Sequence, residues 1–232
     1  MESGRDSLAD AGRFSRSVNE LLYTIAYLVL APLFKALYGL EVRGLENVGE
    51  APLIFAANHK SYLDPIIVGI PLYPRRLNFM AKSELWGIPI LAQLITALGA
   101  YPVNRGKFDR RAIAGTIDIL KGGGNVLMFP EGTRIRRPGL GAAFKGVASI
   151  SMKSGAPVVP VGITGAGRIL PEGRVVPRFP RIAVSFGKPI DPADYGVDKN
   201  GFMEDVMKEI ARLSGYNGAA GPAEEVEAEV EG

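Results

Sequence analysis

Leu53-Ile54-Phe55-Ala56-Ala57-Asn58-His59-Lys60-Ser61-Tyr62-Leu63-Asp64-Pro65-Ile66-Ile67-Val68-Gly69-Ile70 is the most informative stretch of this chain. Its first five residues are an apolar run too short for a buried helix, entered from Pro52 and left for polar residues, which is the pattern of a buried strand. Its last six, opened by Pro65, read as a short helix. A strand that passes to a helix through a polar cluster is the unit of an open α/β sheet, and such sheets place their sites at the carboxyl ends of strands. The cluster also holds the only histidine of the chain and, five positions later, a carboxylate.

That pair suits general-base catalysis. An imidazole titrates at about 6.5 in the absence of perturbation, and a carboxylate on its second nitrogen sets tautomer and ring orientation. Residues i and i+5 stack poorly on a helix, but His59 placed just before the first turn brings the two side chains within reach. The competing reading is that Asn58, Ser61 and Asp64 only cap a helix and His59 is a surface residue.

Working outward, the remaining runs predict alternating strands and helices around this unit: strands near 41–46, 75–80, 99–105, 125–129, 157–163 and 181–187, with helices over 109–121, 146–154 and 198–214. In the helix at 109–121, Ile113, Ile117 and Leu120 share a face, and Gly122-Gly123-Gly124 stops it. In the closing helix Phe202, Val206, Ile210 and Leu213 face inward. The strand at 125–129 feeds Pro130-Glu131-Gly132-Thr133-Arg134. A glycine near a proline makes a tight turn whose N–H groups can converge, Thr133 adds a hydroxyl, and Arg134 offers a planar fork suited to phosphate. Glu131 has three open readings: fixing Arg134, fixing Arg105, or bonding a substrate hydroxyl. Pro160, inside an apolar strand, points to an edge or a bulge close to a ligand.

Two of these segments resemble signature blocks of the glycerolipid acyltransferases, in particular the 1-acylglycerol-3-phosphate acyltransferases. Asn58-His59-x-Ser61-x-x-Asp64 matches the first block, and Phe129-Pro130-Glu131-Gly132-Thr133-Arg134 matches another at all six positions. Two weaker matches keep the family's order: a small apolar strand closing on Arg105, with Asn104 where relatives often carry an acid, and Val159-Pro160-Val161-Gly162. The resemblance covers roughly residues 41–190. It implies that His59, oriented by Asp64, takes the proton of a lysophospholipid hydroxyl, which attacks the thioester of acyl-CoA or acyl-carrier protein and yields phosphatidic acid. It also implies that Arg134 and Arg105, with Lys82, hold the acceptor phosphate, that Asn58 and Ser61 support the site, and that no cofactor or metal takes part.

Length and composition agree with one α/β domain, a mixed central sheet flanked by helices over 41–216. The 232 residues include no cysteine, which excludes a thiol nucleophile, a Cys-ligated metal and disulfides. The formal charge is +3, and becomes +8 when the five glutamates of residues 217–232 are set aside. A basic body suits an anionic partner such as a phospholipid surface or a phosphorylated substrate. Nucleic acid is disfavoured, because the aromatics fall in apolar runs and do not interleave with basic residues.

Residues 1–13 read as a flexible terminus, and 217–232 as a disordered acidic tail. Between 14 and 40 lies an apolar helical segment whose fourteen-residue uncharged run, Leu21 to Phe34, is short for a bilayer of ~30 Å. Pro32 is expected to kink or end the first helix. With Tyr23, Tyr27, Phe34 and Tyr38 at headgroup level, the segment reads as an interfacial membrane anchor at the cytoplasmic face. The alternative is a helix packed on the domain core. Two other functions compete: a hydrolase using Ser61, His59 and Asp64, although three residues within seven leave no room for a nucleophile elbow, and a non-catalytic basic membrane module.

Overall fold

The computed structural model describes residues 3–50, 52–103, 109–171 and 173–216, with side chains from Asn19 onward. In chain order its elements are α1 (Ser3–Tyr38), β1 (Glu41–Arg43), β2 (Ile54–Ala57), α2 (Asp64–Leu72), β3 (Leu77–Lys82), α3 (Pro89–Ala97), β4 (Ala100–Val103), α4 (Arg110–Lys121), β5 (Asn125–Met128), α5 (Gly146–Ser154), β6 (Val158–Thr164), β7 (Ala183–Phe186) and α6 (Lys199–Ser214). The seven strands form one mixed sheet in the order β1-β7-β6-β2-β5-β3-β4. Only the β6–β7 contact is antiparallel. The carboxyl ends of β2, β3, β4, β5 and β6 therefore share one edge.

The period-2 pattern of β2 separates two cores. Phe55 and Ala57 join a cluster with Tyr23, Tyr27, Ile67 and Val68 from α1 and α2. Ile54 and Ala56 face the other way, with Leu120, Ile150, Phe202, Val206 and Ile210 from α4, α5 and α6. Both faces of the strand are apolar because both are covered by helices. Helix starts follow the local chemistry: Asp109 accepts from the N–H groups of Arg111 and Ala112, and Asp198 from those of Asn200 and Gly201.

Three expectations change. The polar stretch read as a frayed terminus enters α1 at Ser3, and α1 runs unbroken through Pro32 to Tyr38. Tyr23, Tyr27, Phe34 and Tyr38 do not sit at headgroup level: all four are buried in the core. Their spacing puts them on one stripe of the helix, and the fit is close enough that a Cβ on Gly69 of α2 would stand 2.2 Å from the Tyr27 hydroxyl. The opposite stripe, Leu21, Ile25, Leu28, Val29 and Leu33, is exposed. Asn19–Tyr38 spans 20 residues and is long and apolar enough to cross a membrane, which the shorter uncharged run had concealed.

Third, Pro160 is on no edge. It lies in β6, between β2 and β7, paired in register with Ala56. On the β7 side, Val158 pairs with Ile190 and Val161 with Phe186, so three residues oppose two around Pro160. That extra residue is a bulge, placed where proline has no N–H to offer the ladder. Gly187 donates its N–H to the Pro160 carbonyl at 2.8 Å. The proline thus shapes the sheet beside β2. The acidic tail at 217–232 lies outside the described residues.

Gly162 shows why α6 can lie on β6. A Cβ there would come within 2.4 Å of the Leu213 and Ser214 backbone, which cannot swing aside as a side chain can. We predict that Gly162→Ala destabilises the protein by roughly 1–3 kcal/mol, the usual cost of overpacking. Urea unfolding measures it, and an unchanged midpoint would show that α6 can shift freely.

Candidate active site

Asn58 directly follows β2, and its amide continues the ladder where the main chain leaves it. Its Nδ2 donates to the Ile163 carbonyl at 3.0 Å, and its Oδ1 accepts from the Ile163 N–H at 2.7 Å. This pins the turn that follows to β6. His59 comes next, 6 % exposed, and its Nδ1 is 2.9 Å from Oδ2 of Asp64, which is fully buried. The same oxygen accepts from the N–H groups of Lys60 and Ser61, each at 2.7 Å. An oxygen that receives two backbone donors acts as an acceptor toward the imidazole too, so Nδ1 carries the proton and Nε2 is left as the base. Asp64 opens α2, where the N-terminal end of the helix dipole favours a negative charge.

Ser61 has another task. Its Oγ accepts from the Leu63 N–H at 3.2 Å and its carbonyl from the Asp64 N–H at 3.3 Å, so it shapes the tight turn that lets residue 64 reach back to residue 59. These bonds give Ser61 a place in the turn itself.

The second block meets the first through three contacts. The His59 ring stacks on Phe129, with centroids 3.9 Å apart and planes inclined by 16°. The Ile135 N–H donates to the His59 carbonyl at 2.8 Å. The Arg134 guanidinium lies 3.3 Å above the centroid of the Tyr62 ring, a cation–π geometry. The turn itself closes with Gly132 N–H donating to the Phe129 carbonyl at 3.0 Å, and Gly132 adopts a φ of +65°, a conformation open to glycine. Gly132 and Thr133 are exposed on this turn, while Arg134 is half-buried.

The other predicted residues separate. Lys82 ends β3 at the same sheet edge, but it is exposed and its Nζ is 3.0 Å from Glu84 Oε1. Arg105, with Asn104 before it, lies outside the described residues, just beyond the end of β4. Three residues of the site went unselected in the sequence. Phe129 was read as the end of a strand, and Lys60 and Tyr62 occupy variable positions of the motif. Lys60 donates through Nζ to the Arg137 carbonyl at 2.9 Å and to that of Gly139, clamping the loop after the turn. Its ammonium also sits 4.8 Å from the centroid of Tyr216. Burial lowers the pKa of Lys60, with Arg137 acting in the same sense and Glu131 and Asp64 opposing.

Of the three readings of Glu131, the structure bears on the pairing with Arg134, which is absent; Arg105 lies outside the described residues, and the bond to a substrate hydroxyl stays open. Glu131 is 2 % exposed, and neither carboxylate oxygen has a hydrogen-bond partner among the described residues. It fixes no arginine there. Burial pushes its pKa up to about 7, against the pull of Lys60 and of the His59 and Gly141 backbone. Among the described residues no group of three or more metal-ligating side chains occurs.

Glu131 holds its proton more tightly folded than unfolded, so it contributes stability below its ordinary pKa of 4.5 and loses that contribution as pH rises through about 7. We predict that Glu131→Gln removes this slope, changing the wild-type minus variant difference by up to about 3 kcal/mol across the window. Urea titrations at a series of pH values measure it. Parallel stability profiles would show that the carboxyl is not buried in this way.

Comparison with known proteins agrees with this geometry. Residues 39–164 match the acyltransferase family. A chloroplastic 1-acyl-sn-glycerol-3-phosphate acyltransferase of Arabidopsis thaliana is 32% identical over 142 residues, 59% of this chain and 39% of that protein. The corresponding enzyme of Bacillus subtilis is 27% identical over 158 residues, covering 68% and 76% of the two chains. The plant and algal relatives are longer proteins, of which this chain spans between 39% and 42%. The crystal structure of the 1-acyl-sn-glycerophosphate acyltransferase PlsC from Thermotoga maritima superposes with a TM-score of 0.67 at 26% identity, over 94% of this chain and 86% of that one. The histidine, the carboxylate and the glycine turn lie within the matched region, and the chain belongs to the acyltransferase family.

Proposed function

We propose that the protein transfers a fatty acyl group from a thioester, acyl-CoA or acyl-carrier protein, to the free hydroxyl of 1-acylglycerol-3-phosphate, giving phosphatidic acid. The observation that carries this reading is the His59 ring, hydrogen-bonded to Asp64 at one nitrogen and stacked on Phe129 at the foot of the Gly132 turn. The stacking of His59 on Phe129 and of Arg134 on Tyr62 supports a reading in which the two chain segments serve one substrate.

In this reading Nε2 of His59 accepts the proton of the acceptor hydroxyl as its oxygen attacks the thioester carbonyl. The carbon–sulfur bond breaks as the tetrahedral intermediate collapses, and the proton passes from His59 to the departing thiolate. The thioester is already activated, so no covalent acyl-enzyme is required. Asp64 orients the ring and stabilises the imidazolium that forms. Arg134 holds the acceptor phosphate, supplying the orientation part of the rate enhancement, and Arg105 is assigned the same task from its position after β4. Lys82 is a weaker candidate, because it must first leave Glu84. The chain's own residues suffice for this chemistry without a cofactor.

The apolar outer stripe of α1 gives the protein a membrane-associating face, and the cytoplasmic face of the membrane suits the thioester donors. A membrane-associated hydrolase would share that face; transfer is preferred because Ser61, His59 and Asp64 lie within seven residues, which leaves no room for a nucleophile elbow.

His59→Ala is expected to lower kcat by about 10²–10⁴-fold, the contribution of a positioned base, with the fold intact by circular dichroism. Full activity with labelled acyl-CoA and lysophosphatidate would remove the mechanism. Tyr62→Ala tests the arginine: Tyr62 is 70 % exposed, so Tm should hold. Loss of the cation–π contact should raise the acceptor KM about three- to thirtyfold and leave kcat nearly unchanged. A fall in kcat alone would place Arg134 elsewhere.

A further inference from the structure

A second apolar surface lies outside the active site, in the loop from β6 to β7. Val175 is 92 % exposed, Val176 71 % and Phe179 58 %, and Leu170 nearby is also exposed. Single apolar residues at a surface are ordinary. Several within one loop, interleaved with arginines, are not. Between residues 168 and 181 the chain carries Arg168, Arg174, Arg178 and Arg181 against a single glutamate, and all four arginines are exposed.

This loop is held in shape. The Arg178 N–H donates to the Ile169 carbonyl at 2.7 Å, closing the loop at its base. Pro171, Pro177 and Pro180 restrict the rest, which lowers the entropy lost when the loop is ordered against a partner. The loop also packs against the carboxyl end of α1. The Phe179 ring contacts the Tyr38 ring at 5.6 Å between centroids, and the Ile182 N–H donates to the Tyr38 carbonyl at 3.1 Å. Leu33 and Leu37, exposed on the last turns of α1, carry the apolar surface toward it. At its other end the loop begins beside the active site, where a Cβ on Gly167 would lie 3.3 Å from Lys60 Cβ.

We propose that residues 173–181 of this loop form a second membrane-binding element, seating Val175, Val176 and Phe179 in the interface of an anionic phospholipid bilayer while Arg174, Arg178 and Arg181 contact lipid phosphates. The proposal rests on the reading of α1 as a membrane-facing helix, whose apolar surface the loop extends. Apolar side chains that reach the acyl boundary, ringed by arginines, match a lipid interface on both counts. An acidic carrier protein would use the arginines but has no need of the protruding valines. Two attachment points fix a body's orientation as one helix cannot, and here they would hold the His59 edge toward the surface where lysolipid resides.

The test uses the full chain and vesicles of phosphatidylglycerol mixed with phosphatidylcholine. Val175→Asp combined with Val176→Asp, and separately Arg174→Gln combined with Arg178→Gln, are each expected to weaken partitioning about tenfold or more. The arginine pair should have no effect on pure phosphatidylcholine, and Tm should stay at the wild-type value. The protein lacks cysteine, so Val175→Cys carrying an environment-sensitive dye gives a direct readout: a blue shift on anionic vesicles is expected. Unchanged partitioning of both pairs, or no spectral shift, overturns the proposal. So does vesicle binding that persists while only transfer from acyl-carrier protein slows, which would make the loop a carrier-protein surface. A wild-type protein that binds vesicles through this loop yet transfers no acyl group would remove the enzymatic reading and leave this one standing.

Discussion

The Oδ2 atom of Asp64 is the point at which fold and chemistry are tied together. It is fully buried and accepts from two backbone N–H groups and from the His59 ring. Burying a carboxylate is costly unless donors compensate it. The turn from β2 to α2 supplies them at no conformational cost to other segments, since the donors belong to residues 59, 60 and 61. The carboxylate thereby organises the turn, and the turn holds the histidine. Ser61 and the amide of Asn58 complete the arrangement, one inside the turn and one against β6.

The sheet order explains why this turn meets the glycine turn. β2 is central, with β5 on one side and β6 on the other, and all three run parallel, so their carboxyl ends open side by side. β5 delivers Phe129 beneath the imidazole, and β6 anchors Asn58. Packing on both faces is dense, as the Cβ-free contacts of Gly69 with Tyr27 and of Gly162 with α6 require. The edge is thus held from below while Gly132 and Thr133 remain exposed and Arg134 half-buried.

Glu131 is the odd member of the motif. Its residue type left open a pairing with an arginine or a bond to a substrate hydroxyl; it lies buried, with no side-chain partner among the described residues and a raised pKa. A motif position can therefore be strict for reasons that differ from those its chemistry first suggests. Arg134 takes its partner from Tyr62, an aromatic 72 residues earlier.

How much was legible follows from distance along the chain. Alternation of apolar and polar residues determined the strands and helices, and a five-residue spacing sufficed for His59 and Asp64, because both lie in one turn whose geometry is local. Cap residues such as Asp109 and Asp198, and the breaks at Gly122 and Gly215, are likewise local. What the chain alone did not determine depends on which segments become neighbours. The aromatic stripe of α1 reads as membrane-facing until α2 and the sheet claim it, and the choice between an edge and a bulge at Pro160 is made only by β7. Phe129, Lys60 and Tyr62 gain their roles only through partners tens of residues away. Periodicity encodes which face of an element is apolar, but not what covers that face, and it is tertiary packing that brought His59, Phe129 and the Arg134 turn to a common edge.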